Sequence, residues 1–218
     1  MIGIVDYNAG NITSVERALK SLGIEYIRSK NPSDLKDCEK LIFPGVGDAA
    51  YAMNQLKETG FDVFLKKWAL DGKPLMGICL GSQIIFDYSE EGDTKCLGLI
   101  PGNIVHMEKL MANVPDSKNY KIPHMGYNNV TMVNGGCKLF NTLDNDTDFY
   151  FVHSYVIQPH DSNVIRGIAD YGIKVPACIQ KGNIFAFQFH PEKSGKHGLE
   201  LLRNFCEATI NDKGELSC

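Results

Sequence analysis

The sequence predicts an α/β protein: an open, mostly parallel twisted sheet with flanking helices, followed by an antiparallel, strand-rich second half. Three observations carry this. Over residues 1–90, short apolar runs alternate with stretches of helical periodicity, the pattern of a parallel sheet built from strand–helix units. From Leu99 to Phe189 the text changes to short strands separated by turn signals. At the junction of the fourth run and its helix stands Gly77-Ile78-Cys79-Leu80-Gly81, a pattern that requires a sharp strand-to-helix turn.

The elements follow in order. Ile2-Gly3-Ile4-Val5 reads as a buried strand. Residues Asn11 to Leu22 place Ile12, Val15, Leu19 and Leu22 at helical spacing, and Gly23 ends that helix. Glu25 to Arg28 is a second strand, and Lys40 to Phe43 a third, cut off by Pro44-Gly45. Residues 48–58 and 61–71 are helical. Pro74 to Ile78 is a fourth strand, and Gly81 to Tyr88 the helix after it. Beyond, Asn134-Gly135-Gly136, Asp144-Asn145-Asp146 and Gly182-Asn183 mark turns. Residues Met107 to Lys121 are polar and irregular and read as a mobile surface loop. The closing segment, Gly195 to Ile210, is amphipathic, with Leu199, Leu202, Phe205 and Cys206 on one face. No linker or repeat divides the chain, so one domain over residues 1–218 is expected.

Composition excludes several function classes. The chain has 218 residues, 44% hydrophobic and 22% charged, ordinary for a globular protein. Twenty-two basic residues against 26 acidic ones leave a net charge of −4, and no cluster of Lys and Arg forms a basic patch, so nucleic acid is not an expected partner. No apolar run approaches the ~18 residues of a membrane span. The start, Met1-Ile2-Gly3-Ile4-Val5-Asp6, lacks the basic lead of a signal peptide, and a cytoplasmic location is expected. The seven cysteines (Cys38, Cys79, Cys96, Cys137, Cys178, Cys206 and Cys218) are odd in number and contain no CxxC pair. That fits neither a disulfide framework nor a zinc site, and no metal or cofactor is expected.

The chemistry concentrates at strand ends. In Gly77-Ile78-Cys79-Leu80-Gly81 the small residues two before and two after the cysteine let the backbone turn tightly, lifting a nucleophile above the sheet. The following helix directs its N-terminal N–H groups toward the sulfur, which favours thiolate. The Leu80 N–H would stabilise an oxyanion. Taken alone, the same residues also suit a buried cysteine in an ordinary strand–helix turn. A thiolate nucleophile needs a base, and the base an orienting group. Phe185-Ala186-Phe187-Gln188-Phe189-His190-Pro191-Glu192 supplies both: an apolar strand delivers His190 to its end, and Glu192 stands two residues on. Leu41 to Gly47 ends a strand in a Gly-flanked loop, a second wall for an oxyanion site.

In this order the motifs resemble the class I, triad-type glutamine amidotransferases. The resemblance rests on Asp6-Tyr7-Asn8-Ala9-Gly10-Asn11, Pro44-Gly45-Val46-Gly47, Gly77 to Gln83, Pro123-His124-Met125-Gly126-Tyr127-Asn128, Tyr150 to Tyr155, and Gln188 to Ser194. It spans nearly the whole chain. It implies that Cys79 attacks the side-chain amide of L-glutamine, that His190 moves the protons and that Glu192 orients His190. It also implies that Val46 and Leu80 hold the oxyanion through backbone N–H groups. Gly47 and Gln83 would line the glutamine pocket, with Ser154 and Tyr155 contacting the amino-acid end. Within the family the pattern is similar to members whose ammonia passes to a (β/α)8-barrel cyclase subunit of histidine biosynthesis, in a heterodimer. Asn11, Met125, Tyr127, Tyr150 and Lys193 would then face that partner. The family usually carries Met at position 82 and Trp at 127, where this chain has Ser82 and Tyr127. Both changes leave room for a paralogue serving another barrel, as in surface-sugar amidation. A free-standing thiol hydrolase and a non-catalytic α/β binding module are the remaining readings.

Overall fold

The computed structural model describes residues 1–143, 147–211, 214 and 216–217. In chain order the elements are β1 Ile2–Val5, α1 Ile12–Ser21, β2 Tyr26–Ser29, β3 Lys40–Gly45, α2 Ala49–Thr59, α3 Phe61–Leu70, β4 Leu75–Cys79 and α4 Leu80–Gln83. Then come β5 Tyr88–Ser89, β6 Thr94–Lys95, β7 Gly102–His106, α5 Met107–Met111, β8 His124–Asn129, β9 Thr131–Met132, β10 Asp148–His153 and β11 Tyr155–Pro159. The chain closes with β12 Ile165–Asp170, β13 Lys174–Lys181, β14 Ile184–Phe187, α6 Gly195–Glu207, β15 Thr209–Ile210 and β16 Leu216–Ser217.

The central sheet has the order β2-β1-β3-β4-β14-β13-β12-β9. Pairing is parallel from β2 to β14 and antiparallel from β14 to β9. A smaller sheet runs β11-β7-β5-β6, and β8 pairs with β10 as a separate two-stranded ribbon. The predicted fold class is therefore present. The parallel strands read as continuous apolar runs because both faces are covered. Ile42, Met76, Ile78, Phe185 and Phe187 point into a core shared with Ile12, Val15 and Leu19 of α1 and Leu201, Leu202 and Phe205 of α6. Leu41, Phe43, Leu75 and Ala186 point the other way, against Ala52, Met53 and Leu56 of α2 and Phe61, Leu65 and Trp68 of α3. Full burial of one such Leu or Phe side chain contributes ~1.5–3 kcal/mol, so strand alternation sorts the helices to their faces.

Four elements differ from the sequence reading. The helix expected over Gly81 to Tyr88 is one turn, Leu80–Gln83, and Tyr88 belongs to a strand. The carbonyls of Ile84, Ile85 and Phe86 accept N–H groups of Leu97, Leu99 and Gly98, so they are unavailable to continue the helix. The third strand runs through Pro44 to Gly45, because its ladder with β4 continues to Gly45↔Cys79. Pro44 is tolerated there because the β1 ladder ends at Ile4↔Ile42. The last helix stops at Glu207 rather than Ile210. Buried Lys40 donates from Nζ to the carbonyls of Cys206 (2.5 Å) and Ala208 (2.6 Å), drawing the chain out of the helix. Residues 107–121 are not an irregular loop throughout: Met107 and Met111 are buried and anchor α5. Of the turn signals, Asn134 to Gly136 and Gly182 all have positive φ, while Asp144 to Asp146 lie outside the described residues.

Candidate active site

Strand register builds the site. Gly45 is level with Cys79, and Phe187 with Ile78, so β3, β4 and β14 release their C-terminal residues at the same edge. Cys79 ends β4 with φ +53° and ψ −113°, a region non-glycine residues avoid at a cost of ~1–3 kcal/mol. Packing holds it there. A Cβ on Gly81 would strike the Phe43 carbonyl, and one on Gly77 would lie 2.6 Å from Ile85 Cδ1. The buried Ser82 hydroxyl donates to the Cys79 carbonyl at 2.6 Å, closing the turn from inside. Ser82 thus sits beneath the nucleophile and outside the pocket lining. Gly47 has φ +94° with open space around it, so backbone conformation and not crowding requires a glycine.

His190 is clamped from three sides. Its N–H donates to the Tyr150 carbonyl at 2.8 Å, and Nδ1 meets Glu192 Oε1 at 2.7 Å. The Ser194 hydroxyl donates to the His190 carbonyl (2.6 Å) and accepts the Tyr150 N–H (2.9 Å). Both side chains of the His190–Glu192 pair are almost fully buried, at 2% and 1% exposure. A carboxylate accepts only, so Glu192 fixes the proton on Nδ1 in the neutral ring and turns the Nε2 lone pair outward. Among the described residues Nε2 makes no hydrogen bond. The Cys79 thiol rests 3.8 Å from the Val152 carbonyl. Burial by itself lowers the His190 pKa, but interactions with Cys79 and Glu192 outweigh it and push it up to about 10.

These groups border a cavity of about 330 Å³. Its walls include Val46, Gly47, Cys79, Leu80, Gln83, Ser154, Tyr155 and His190, which the sequence reading had placed together, and also Lys193. Glu192 stands behind His190. Tyr127 and Tyr150 lie beside Lys193: the Tyr127 hydroxyl donates to the Lys193 carbonyl at 2.9 Å, the two tyrosine rings are 5.6 Å apart, and Lys193 Nζ is 5.9 Å from the Tyr150 ring centre. Met125 and Tyr127 are each 61% exposed on β8. Asn11 precedes α1 in the loop where Gly10 abuts the Pro44 carbonyl.

Sequence reasoning missed three participants. Among the described residues Glu91 is the only acidic side chain lining the cavity; its Oε2 accepts the Ala49 N–H at 2.9 Å, and burial raises its pKa. The signal available was a carboxylate shortly after the elbow, which spacing alone does not distinguish from surface charge. Gln188 accepts Gln83 Nε2 at 2.8 Å and so holds the Gln83 side chain. Ser194 closes the Gln188-to-Ser194 motif, and nothing in that motif reveals its hydrogen bonds to His190 and Tyr150. A larger cavity of about 660 Å³ lies at the opposite end of β4 and β14, between Lys73 and Ile184; among the described residues its lining holds lysines but no cysteine, serine, threonine or histidine. Among the described residues no group of three or more His, Cys, Asp or Glu is placed to hold a metal. No helix among them is long and apolar enough to cross a membrane.

A strained strand-end thiol, with a buried imidazole and carboxylate beside it, suits covalent chemistry on an amide or ester carbonyl. The Glutamine amidotransferase class-I family profile matches residues 3–209, and the chain belongs to that family. It is an enzyme of the glutamine amidotransferase kind. The protein called "Imidazole glycerol phosphate synthase subunit HisH" in Geobacillus sp. (strain WCH70) is 43% identical to it over 217 residues, 99% of this chain and 100% of that protein. Its namesake in Methanocaldococcus jannaschii is 44% identical over 211 residues, 95% and 99% of the two chains. A solved structure described as "Crystal structure of glutamine amidotransferase" matches with a TM-score of 0.72 at 19% identity, covering 94% and 97% of the chains, a likeness of fold.

Proposed function

We propose that the chain is the glutaminase subunit of an imidazole glycerol phosphate synthase, working in the cytoplasm as one amidotransferase domain over residues 1–218. The observation that carries this reading is the Cys79, His190 and Glu192 cluster at the strand ends beside a cavity of about 330 Å³, in a chain whose relatives bear that subunit's name. Cys79 gives its thiol proton to His190 Nε2, and the sulfur attacks the side-chain carbonyl carbon of L-glutamine. The backbone N–H groups of Leu80 and Val46 hold the oxyanion. His190 passes the proton to the departing nitrogen, releasing ammonia and leaving a γ-glutamyl thioester. Water, losing a proton to His190, then cleaves the thioester to glutamate and the free thiol. No cofactor takes part.

Pocket electrostatics suit the amino-acid end of glutamine. The Tyr155 carbonyl can only accept, so the Gln83 amide turns Nε2 toward it (3.2 Å), which leaves Oε1, without a hydrogen-bond donor among the described residues, as an acceptor. Gln83 Oε1 and the Glu91 carboxylate bind the α-ammonium, and the α-carboxylate takes backbone N–H groups of the Gly47 and Ser154–Tyr155 walls. Ammonia passes to a (β/α)8-barrel cyclase subunit, which forms imidazole glycerol phosphate and AICAR in histidine biosynthesis. Glutamate release is measured with and without a candidate cyclase, for the wild type and Cys79→Ala. The expected result is weak activity alone, a large gain in the complex, and none in Cys79→Ala, whose cyclase still accepts added ammonia. Full activity without the cyclase indicates a free-standing hydrolase, and none in either state a binding module.

A further inference from the structure

Two buried histidines take no part in that chemistry. His124 Nδ1 meets His153 Nε2 at 3.0 Å, and His153 Nδ1 lies 2.7 Å from the Tyr155 carbonyl. On the far side, Asn128 Nδ2 is 3.3 Å from His124 Nε2 and 2.9 Å from the Asp170 carbonyl. Donor and acceptor chemistry allows one direction for this chain. The Tyr155 carbonyl can only accept, so His153 carries its proton on Nδ1 and accepts at Nε2. His124 must then donate from Nδ1 and accept at Nε2 from Asn128. Each link is therefore oriented from β8 toward the pocket, and a second proton on either ring would oppose a neighbouring N–H donor. Burial, which lowers both pKa values, to about 4 for His124 and about 3 for His153, agrees with two neutral rings.

The chain ends on the carbonyl that also receives Gln83 Nε2. Its other end belongs to β8, which alternates: His124 faces inward and is buried, while Met125 and Tyr127 face outward and are exposed. His124 is held flat between two rings, with centroids 4.6 Å from Phe151 and 4.0 Å from Tyr171, both nearly parallel. A shift of β8 therefore moves a ring that cannot tilt freely, and the line enters the substrate pocket at His153, itself a wall of the cavity, and at the Tyr155 carbonyl.

We propose that His124 and His153 are positioning residues for glutamine: through the hydrogen bond between their rings, strand β8 sets the Tyr155 carbonyl and the Gln83 amide where the amino-acid end of the substrate binds. The assignment rests on the glutaminase reading. It separates affinity, governed by this chain, from bond cleavage, governed by Cys79 and His190. His124→Phe is the informative variant, because it keeps an aromatic ring between Phe151 and Tyr171 while removing the hydrogen-bonding nitrogens. His153→Phe is its counterpart, and His124→Asn returns a donor near the Nδ1 position.

Glutamine kinetics are measured in the complex with the cyclase, alongside the melting temperature of each variant. For both Phe variants the glutamine KM is expected to rise about tenfold, with kcat reduced no more than about threefold. His124→Asn should recover much of the KM. Nitrogen-15 spectra of the wild-type chain at neutral pH should show both rings neutral with the proton on Nδ1. An active wild type whose KM is unmoved by either Phe substitution would overturn the proposal alone. So would a parallel fall of kcat, kcat/KM and melting temperature, or an Nε2–H ring at either position. A wild-type complex that leaves glutamine intact would overturn the functional reading and the proposal together.

Discussion

At the scale of single residues, opposite pKa shifts divide the histidines by role. His190 is buried, which alone lowers its pKa, yet Cys79 and Glu192 push it up to about 10. A folded-state value above the unfolded ~6.5 means that this group's stabilisation is full below ~6.5 and is lost as pH rises toward 10. For His124 and His153 the sign reverses. Their values are depressed by burial to about 4 and 3, so their stabilisation is present above ~6.5 and is lost as pH falls toward 4. Removing the charge at Glu192 isolates the first effect. Glu192→Gln keeps the side-chain shape but withdraws the anion that favours imidazolium, so the His190 pKa falls. The alkaline limb of the kcat/KM profile, where the free enzyme loses the single proton that Cys79 and His190 share, is expected to move to lower pH, with kcat down roughly 10²–10⁴-fold. A pH–rate series on the variant complex checks this, and an unmoved limb at wild-type kcat would make Glu192 a bystander. Thiol selectivity has the same local origin: burial pushes Cys96 and Cys206 up to about 12 and raises Cys38 and Cys178, which keeps those four protonated at neutral pH.

At the scale of elements, the elbow depends on how closely α4 approaches β3. Gly81 lies so near Phe43 that a Cβ there would collide with that backbone carbonyl, and no flexible side chain can yield. Gly81→Ala must therefore separate α4 from β3 and relax the strained Cys79 backbone. Overpacking of this kind costs ~1–3 kcal/mol or more, and the nucleophile moves with it. Denaturant unfolding should show that loss, and glutaminase activity in the complex should fall even where the chain remains folded; wild-type stability and activity together would refute the contact. This elbow was legible in the sequence because it is local: five consecutive residues encode the turn, and the apolar run through Phe189 encodes the delivery of His190. Glu91, Gln188 and the short α4 were not legible because long-range partners decide them. Glu91 becomes a pocket wall by accepting the Ala49 N–H across 42 residues. Helix α4 stops because Leu97, Gly98 and Leu99 occupy the carbonyls that would extend it. Periodicity registers neither event. Likewise Lys40 read as the polar start of a strand, and only the fold brings it to the end of α6.

At the scale of the whole molecule, the β8–β10 ribbon stands outside the eight-stranded sheet and borders the mouth of the active site. Its register sets Tyr127 opposite Tyr150 and Met125 opposite Val152, with Val152 a wall of the cavity. A two-stranded ribbon is marginal on its own, and one that leaves Met125 and Tyr127 each 61% exposed gains stability when a partner covers it. Lys193 ties this surface to the chemistry, since it follows Glu192 directly, lines the cavity and accepts the Tyr127 hydroxyl at its carbonyl. On the proposed function, the ribbon is the expected docking face for the cyclase. Truncating an aromatic at the centre of an interface costs ~2 kcal/mol or more, about a thirtyfold loss of affinity, whereas rim residues cost little. Tyr127→Ala is expected to weaken association by that order. Tyr150→Ala and Lys193→Ala also disturb the loop that carries His190 and Glu192, so they should weaken binding or uncouple the two reactions, forming glutamate in excess of cyclised product. Titrating the cyclase against each variant, with glutamate and product measured in the same samples, distinguishes the outcomes. If all three variants keep wild-type affinity and a wild-type ratio of glutamate to product, the partner docks elsewhere, and the exposure of Met125 and Tyr127 has another cause.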